Sequence, residues 1–119
     1  MTEITDSQIP RNLPHHRLVA WEVARDFLVA VRACRIADPK LRDEAHRSAK
    51  SACLNCAEGA GRVTRADKAR SFAVARAETV EAAAAVEIAV ACGDAPAGPA
   101  AEVARVADRL VAMLTALCR

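Results

Sequence analysis

Apolar side chains recur at three- and four-residue steps in four stretches of this 119-residue sequence. That period places them on one face of an α-helix, whereas a half-buried strand alternates every second residue. Alanine supplies most of the hydrophobic fraction of 53%, and aromatic residues make up only 3%. Because alanine is the strongest helix former and strands favour β-branched and aromatic residues, we predict a single all-α domain with a thin core.

Two signals divide the first half of the chain. Residues 1–14 contain two prolines and no apolar period, which predicts a flexible N-terminal arm before a bundle domain of residues 15–119. Helix one is expected over residues 15–37. Asp38 then suits an N-cap and Pro39 the first helical position, which needs no amide donor, so helix two is expected to follow at once.

Glycine and threonine mark the later boundaries. Helix two should end within residues 59–61, where glycine can adopt the left-handed conformation. Thr64 opens a pattern that resembles a capping box, so helix three is expected from there to about Cys92, with Gly93 as its stop. Helix four is expected to begin at Pro99. Four long helices with short loops predict an antiparallel up-and-down four-helix bundle.

Helix three is apolar over more than one stripe. A helix of a small bundle needs one buried face, so a second face of small residues predicts contact with another copy of the chain. The alternative is that alanine only raises helix propensity at exposed positions. The residues concerned are Ala73, Ala75, Ala77, Val80, Ala82, Ala83, Ala84, Ala85, Val86, Ile88 and Ala89.

Positive charge concentrates in the middle of the chain. The net charge is only +2, but residues 38–70 carry eight Lys and Arg against five Asp and Glu. A ring of several copies would repeat this cluster as a positive belt able to contact phosphates. The scarcity of aromatic residues predicts binding through the nucleic-acid backbone, with strong salt dependence. The candidate nucleic-acid-binding residues are Arg47, Lys50, Arg62, Arg65, Lys68 and Arg70.

Cysteine and histidine give little sign of a metal or redox centre. Cys53 and Cys56 form a CxxC pair, but it lies inside helix two, and the chain has no second pair of this kind. An odd total of five cysteines on helical segments favours reduced, buried thiols over a disulfide framework. We expect neither cofactor nor metal and no enzymatic activity, with cysteine-based metal or redox chemistry as a distant alternative.

The chain shows no targeting or spanning signal. It has no charge-free apolar run of 18 residues, and its N-terminus lacks the basic-then-apolar pattern of a signal peptide. We therefore expect a cytoplasmic protein with no membrane partner.

One motif resembles a known family. Residues 55–62 read Asn-Cys-Ala-Glu-Gly-Ala-Gly-Arg. They resemble the end of the second helix in the 23S rRNA-intervening sequence proteins, where Asn-Ile-Ala-Glu-Gly, one variable residue and Gly-Arg follow an Arg and a Ser that match Arg47 and Ser51. Further similarity lies in Arg70-Ser71-Phe72, Ala75-Arg76, Glu81, Val86 to Ala89 and Leu18 to Trp21.

The resemblance implies a four-helix bundle, commonly assembled as a homopentameric ring, with no known catalysis. A related branch is the accessory variability determinant of diversity-generating retroelements, which binds a reverse transcriptase and nucleic acid. This sequence departs from the family pattern at Cys53, Cys56 and Ala77-Glu78, where the family has Pro, Ile and Gly-Ser.

The motif residues also have a structural interpretation. Glu58 and Arg62 are four residues apart and can pair on one helix face, Asn55 can bind backbone at a helix junction, and Glu81 can meet Arg47 or Arg62. Such a polar network would fix the register of a smooth bundle, and a ligand site is the alternative. Its members are Arg47, Ser51, Asn55, Ala57, Glu58, Gly59, Gly61, Arg62 and Glu81.

These observations predict a non-enzymatic, homo-oligomeric helical adaptor. It would present a basic surface to nucleic acid or to a nucleic-acid enzyme such as a reverse transcriptase. The alternative is a structural or protein-interaction module without nucleic-acid affinity.

Overall fold

The structure is a computed structural model that describes residues 3–119, and it is all-helical over that range. The four α-helices are α1 (Val19–Ala33), α2 (Pro39–Gly61), α3 (Arg65–Ala91) and α4 (Ala97–Leu117). Two short 3-10 helices, Asp6–Gln8 and Pro14–Arg17, precede them. The predicted all-α fold of four helices is confirmed. None of these described helices is long and apolar enough to cross a lipid bilayer.

Helix α1 is shorter at both ends than residues 15–37, so that prediction was wrong. A 3-10 turn covers Pro14–Arg17, and the backbone of Leu18 is extended before α1 begins. At the other end, Cys34 and Ile36 are both buried within an extended connector. Burial of alternate residues suits an extended chain, and packing of these two side chains therefore overrides the helical period.

Local signals set most of the other boundaries. The Asp38 carboxylate accepts a hydrogen bond from the Leu41 amide at 2.9 Å, and Thr64 Oγ1 accepts one from the Asp67 amide at 3.1 Å. Helix α4 begins two residues before Pro99, because the first turn of a helix needs no amide donors and tolerates proline there.

The end of α3 follows the predicted glycine stop. Gly93 has a φ of 77°, its amide donates to the Val90 carbonyl, and the Asp94 amide donates to the Ala89 carbonyl. These two bonds form a Schellman motif, which satisfies carbonyls that would otherwise lack partners.

The core lies between helices that follow one another in the sequence and between the first helix and the last. Helix α2 packs mainly against α3, α3 against α4, and α1 against both α4 and α2. Large side chains are few at its centre, and alanines fill most other core positions, as the thin-core prediction required. The largest fully buried side chains are those of Phe27, Leu110, Leu114, Val31, Val86 and Val103.

Part of the N-terminal segment lies against α1. The Asp6 carboxylate pairs with the Arg25 guanidinium of α1, and Arg11 lies 3.8 Å from the same carboxylate. Arg25 in turn stands over the Trp21 ring at 6.0 Å. The side chains of residues 3–14 are nevertheless exposed. The first two residues of the predicted arm lie outside the described residues, and its flexibility stays a prediction.

Candidate functional site

The family-like motif forms one stripe along the outer side of α2. Arg47, Ser51, Asn55, Glu58 and Arg62 follow one another at three- and four-residue steps, which places them on the same helix face. Two contacts link successive turns of this stripe. Asn55 Nδ2 donates to the Ser51 carbonyl at 2.9 Å, and the Arg62 guanidinium pairs with Glu58 at 2.5 Å. Asn55 therefore binds within its own helix, not across a helix junction.

At its N-terminal end, around Arg47, the stripe contacts α3. Glu81 Oε2 of α3 lies 3.9 Å from the Arg47 guanidinium and accepts a hydrogen bond from Ser48 Oγ at 3.3 Å. Arg47 also pairs with Glu44 at 2.5 Å, and this hydrogen bond is the main cause that lowers the pKa of the Glu44 carboxyl. Of the two partners predicted for Glu81, the structure thus brings Arg47 and not Arg62 close to it.

Gly59 of α2 lies in tight contact with α3. A Cβ atom at this position would lie 2.6 Å from Cε1 of Phe72, far inside a normal contact distance. The prediction that a left-handed glycine ends α2 was wrong, because within residues 3–119 only Gly93 has a positive φ. Gly59 instead lies buried inside the helix, and the extended backbone of Arg62 ends it.

Near the α2–α3 turn, three of the basic residues predicted to bind nucleic acid contact other groups of the same chain. Lys68 Nζ donates to the Ala60 carbonyl at 2.9 Å and lies 3.4 Å from the Gly59 carbonyl, so it caps the end of α2. Arg65 Nη2 donates to the Arg119 carbonyl at 3.2 Å, and Arg62 pairs with Glu58.

Of the other three predicted basic residues, one has an intramolecular partner and two form no ion pair among the described residues. Arg47 is paired with Glu44, whereas Lys50 and Arg70 are exposed and form no ion pair among the described residues. The six predicted cations therefore do not form one continuous patch of unpartnered charge. Arg47 and Lys50 lie towards the middle of α2, and the other four lie around its C-terminal end.

The family model of the 23S rRNA-intervening sequence protein matches residues 16–116. The chain belongs to this family. The match spans all four α-helices except the last residue of α4. Among curated proteins, no significant match to the chain was found.

The structure of this 23S rRNA-intervening sequence protein has a basic groove between α1 and α2 that the sequence analysis did not predict. Its volume is about 360 Å³, and its charged lining consists of Arg32, Arg35 and Arg42, with His46 beside them. Burial, followed by the charges of Arg32, Lys50 and Arg42, lowers the pKa of His46. The sequence did contain a signal for this groove, namely several arginines on both sides of Asp38-Pro39. It was overlooked because helix one was predicted to continue to residue 37, which placed Arg35 inside a helix.

The CxxC pair of this family member is buried in the core. Burial raises the pKa of Cys53 to about 11 and that of Cys56 to about 12, so both thiols are protonated at neutral pH. Cys53 Sγ donates to the Ala24 carbonyl at 3.2 Å. Residues 3–119 contain no group of three or more His, Cys, Asp or Glu side chains placed to hold a metal ion.

Proposed function

We propose that this protein is a non-enzymatic, homo-oligomeric helical adaptor that presents a basic surface to nucleic acid or to an enzyme acting on it, such as a reverse transcriptase. The observation that carries the proposal is the apolar outer face of α3. On that face Val74, Val80 and Ile88 are 43%, 47% and 50% exposed, although the helix already buries its opposite side. Uncovered apolar area of this kind is typical of a protein-interaction surface.

The outer face of α3 continues into a shallow groove beside α4. The groove has a volume of about 290 Å³ and is lined mainly by small apolar side chains, with Glu87 and Asp108 among them. Small side chains let a second helix approach closely, which increases packing contacts. The apolar lining residues are Val80, Ala83, Ala84, Ala104, Ala107 and Val111.

The amount of exposed surface also supports assembly. The accessible area is 7266 Å², whereas a compact monomer of this mass is expected to expose about 6,200 Å². The dimensions of 45 × 44 × 21 Å describe a flat body with broad faces. The exposed residues 3–14 contribute to this excess, and burial of about 800 Å² on each partner is the usual size of a stable interface.

For the arrangement of the helices and copies, we propose an antiparallel up-and-down bundle assembled as a homopentameric ring. The Ala37 amide donates to the Asp94 carbonyl at 2.8 Å, which joins the α1–α2 and α3–α4 connections at one end. Arg65 reaches Arg119 at the opposite end. Those contacts support the up-and-down order, while the ring and its five copies rest on the family resemblance.

Self-association is tested by multi-angle light scattering at micromolar concentration. We expect a single oligomeric mass for the wild type and a shift towards monomer for Ile88→Lys, because a charge would be buried in the interface. Val63→Lys is the matched control, since Val63 is 92% exposed at the α2–α3 turn. A well-folded wild-type monomer would rule out the assembly.

Nucleic-acid contact is tested by binding of mixed-sequence RNA and DNA across a salt series. Affinity should fall steeply with salt, and Arg70→Ala should weaken it, because Arg70 is exposed and free of ion pairs among residues 3–119. Arg105→Ala serves as the control, since Glu102 already pairs with Arg105 on α4. Absence of binding even at low salt would leave the second candidate function.

That second candidate is a structural or protein-interaction module without nucleic-acid affinity. It is favoured by the internal contacts of three cations at the α2–α3 turn. Glu58 offsets the charge of Arg62, and backbone carbonyls occupy donors of Arg65 and Lys68. Both candidates share the apolar face of α3 and differ only in whether phosphate groups are bound. A cytoplasmic location fits either of them.

A further inference from the structure

The groove between α1 and α2 is formed where the chain changes direction. Arg32 lies in the last turn of α1, Arg35 in the connector and Arg42 near the start of α2. Within the connector, Cys34 and Ile36 turn inward and are buried, so Arg35 between them turns outward. Together with Arg32 and Arg42, Arg35 lines one cavity, whose lining also includes Cys34, Ile36 and Ala37.

Within residues 3–119, the arginines of this groove form no ion pair with an acidic side chain. No carboxylate lies within 4.0 Å of Arg32, Arg35 or Arg42 in the part of the chain that the structure describes. Among the described residues, the only side-chain hydrogen bond of the three goes from Arg42 Nη1 to the Ile36 carbonyl at 3.5 Å. By contrast, carboxylates pair with Arg25, Arg47, Arg62 and Arg105 elsewhere in the molecule.

Two acidic residues lie near the groove in the sequence, Asp38 and Asp43. The Asp38 carboxylate is used as the N-cap of α2, where it accepts the Leu41 amide. Asp43 lines a separate groove, which it shares with His46 and Lys50. His46 lines both grooves, but within residues 3–119 neither Asp38 nor Asp43 forms an ion pair with the three arginines of the α1–α2 groove.

The chemistry of guanidinium groups narrows the class of ligand. Their planar, forked donors match phosphate oxygens and form charge-assisted hydrogen bonds with them. The volume of about 360 Å³ lies within the size range of small-ligand pockets. Three arginines that line one groove, with no paired carboxylate within residues 3–119, exclude a cation and favour a doubly charged anion over a neutral ligand.

We propose that the α1–α2 groove is an anion site that takes a phosphate group through Arg32, Arg35 and Arg42. The phosphate belongs either to a polynucleotide backbone or to a free phosphorylated compound. This site is distinct from the basic residues of the α2–α3 turn, and it does not rest on the proposed assembly.

The site is tested by titrating the full-length protein with inorganic pyrophosphate in a calorimeter at low salt. Saturable binding is expected for the wild type, and Arg35→Ala should weaken it by about tenfold through loss of one charge-assisted contact. Arg35 makes no hydrogen bond among the described residues, and circular dichroism checks that the variant stays folded. Arg109→Ala, which removes the same charge from an exposed position of α4, should bind like the wild type.

Two results would overturn the proposal. One is the absence of saturable pyrophosphate binding, and the other is equal weakening by Arg35→Ala and Arg109→Ala, which would indicate unspecific charge attraction. A short single-stranded oligonucleotide provides the second arm. If Arg35→Ala weakens both ligands, the phosphate is that of a polynucleotide, whereas an effect on pyrophosphate alone indicates a free compound.

Light scattering of the same samples separates this proposal from the proposed function. A monomer that binds pyrophosphate would refute the ring and leave the groove intact. An oligomer that binds no pyrophosphate would refute the anion site and leave the proposed assembly intact.

Discussion

At the scale of single residues, Gly59 sets the spacing between two helices. Its position against the Phe72 ring leaves no room for a methyl group. We expect Gly59→Ala to lower the free energy of unfolding by about 1–3 kcal/mol, the usual cost of overpacking a core. Urea unfolding followed by circular dichroism measures this change.

The control is Gly61→Ala, two residues further on. A Cβ atom there meets nothing within 4 Å, so the substitution should be neutral or slightly stabilising. In addition, the smaller side chain of Phe72→Leu should recover part of the stability of Gly59→Ala. Equal stabilities for the two glycine variants would contradict the proposed close approach.

His46 is expected to make the fold sensitive to mild acid. Burial and the charges of Arg32, Lys50 and Arg42 lower the pKa of His46, against a weaker opposite effect of Asp43. The unfolded chain therefore binds the proton more readily, and stability falls as the pH drops through about 6.5. Urea unfolding at pH 7.5 and 5.5 should show a smaller loss for His46→Gln than for the wild type. Identical losses would disprove the assignment.

At the scale of helices, local signals predicted three boundaries well. The N-caps Asp38 and Thr64 and the stop at Gly93 each depend on side chains or backbone within a few residues. The ends of α1 could not be predicted in this way. The extended connector after α1 is stabilised by burial of Ile36 and by the bond from Ala37 to Asp94, a residue far along the chain.

The stop of α3 gives a second stability prediction. Gly93 adopts a φ of 77°, which an alanine reaches only with strain, so Gly93→Ala should lower the free energy of unfolding by about 1–2 kcal/mol. Gly98→Ala is the matched control, because Gly98 lies inside α4 with open space around it and an ordinary φ. Thermal unfolding of the two variants tests this, and an unchanged midpoint for Gly93→Ala would argue against the turn.

At the scale of the whole molecule, the candidate site was only partly predictable. The pair Glu58–Arg62 follows from helical spacing, since its members are one turn apart. The contact of Arg65 with Arg119 spans 54 positions, and the capping of α2 by Lys68 depends on how α3 packs. Neither contact can be predicted by counting charges along the sequence. The α1–α2 groove was not predicted for the same reason, because it depends on how distant parts of the chain pack.

Assembly predicts a thermal midpoint that depends on protein concentration. For a pentamer that unfolds as it dissociates, each tenfold increase in concentration should raise the midpoint by roughly 4 °C. Scanning calorimetry from micromolar to high micromolar concentration measures this slope. Ile88→Lys should abolish the slope, whereas a concentration-independent wild type would count against self-association.

The hydrogen bond between Ala37 and Asp94 has a consequence for recognition. It fastens the connector that carries Arg35 to the turn between α3 and α4. The backbone around the three arginines is thus in place before any anion arrives, and only side-chain rotamers remain to be ordered on binding. Such a receptor should admit its ligand without a slow conformational step.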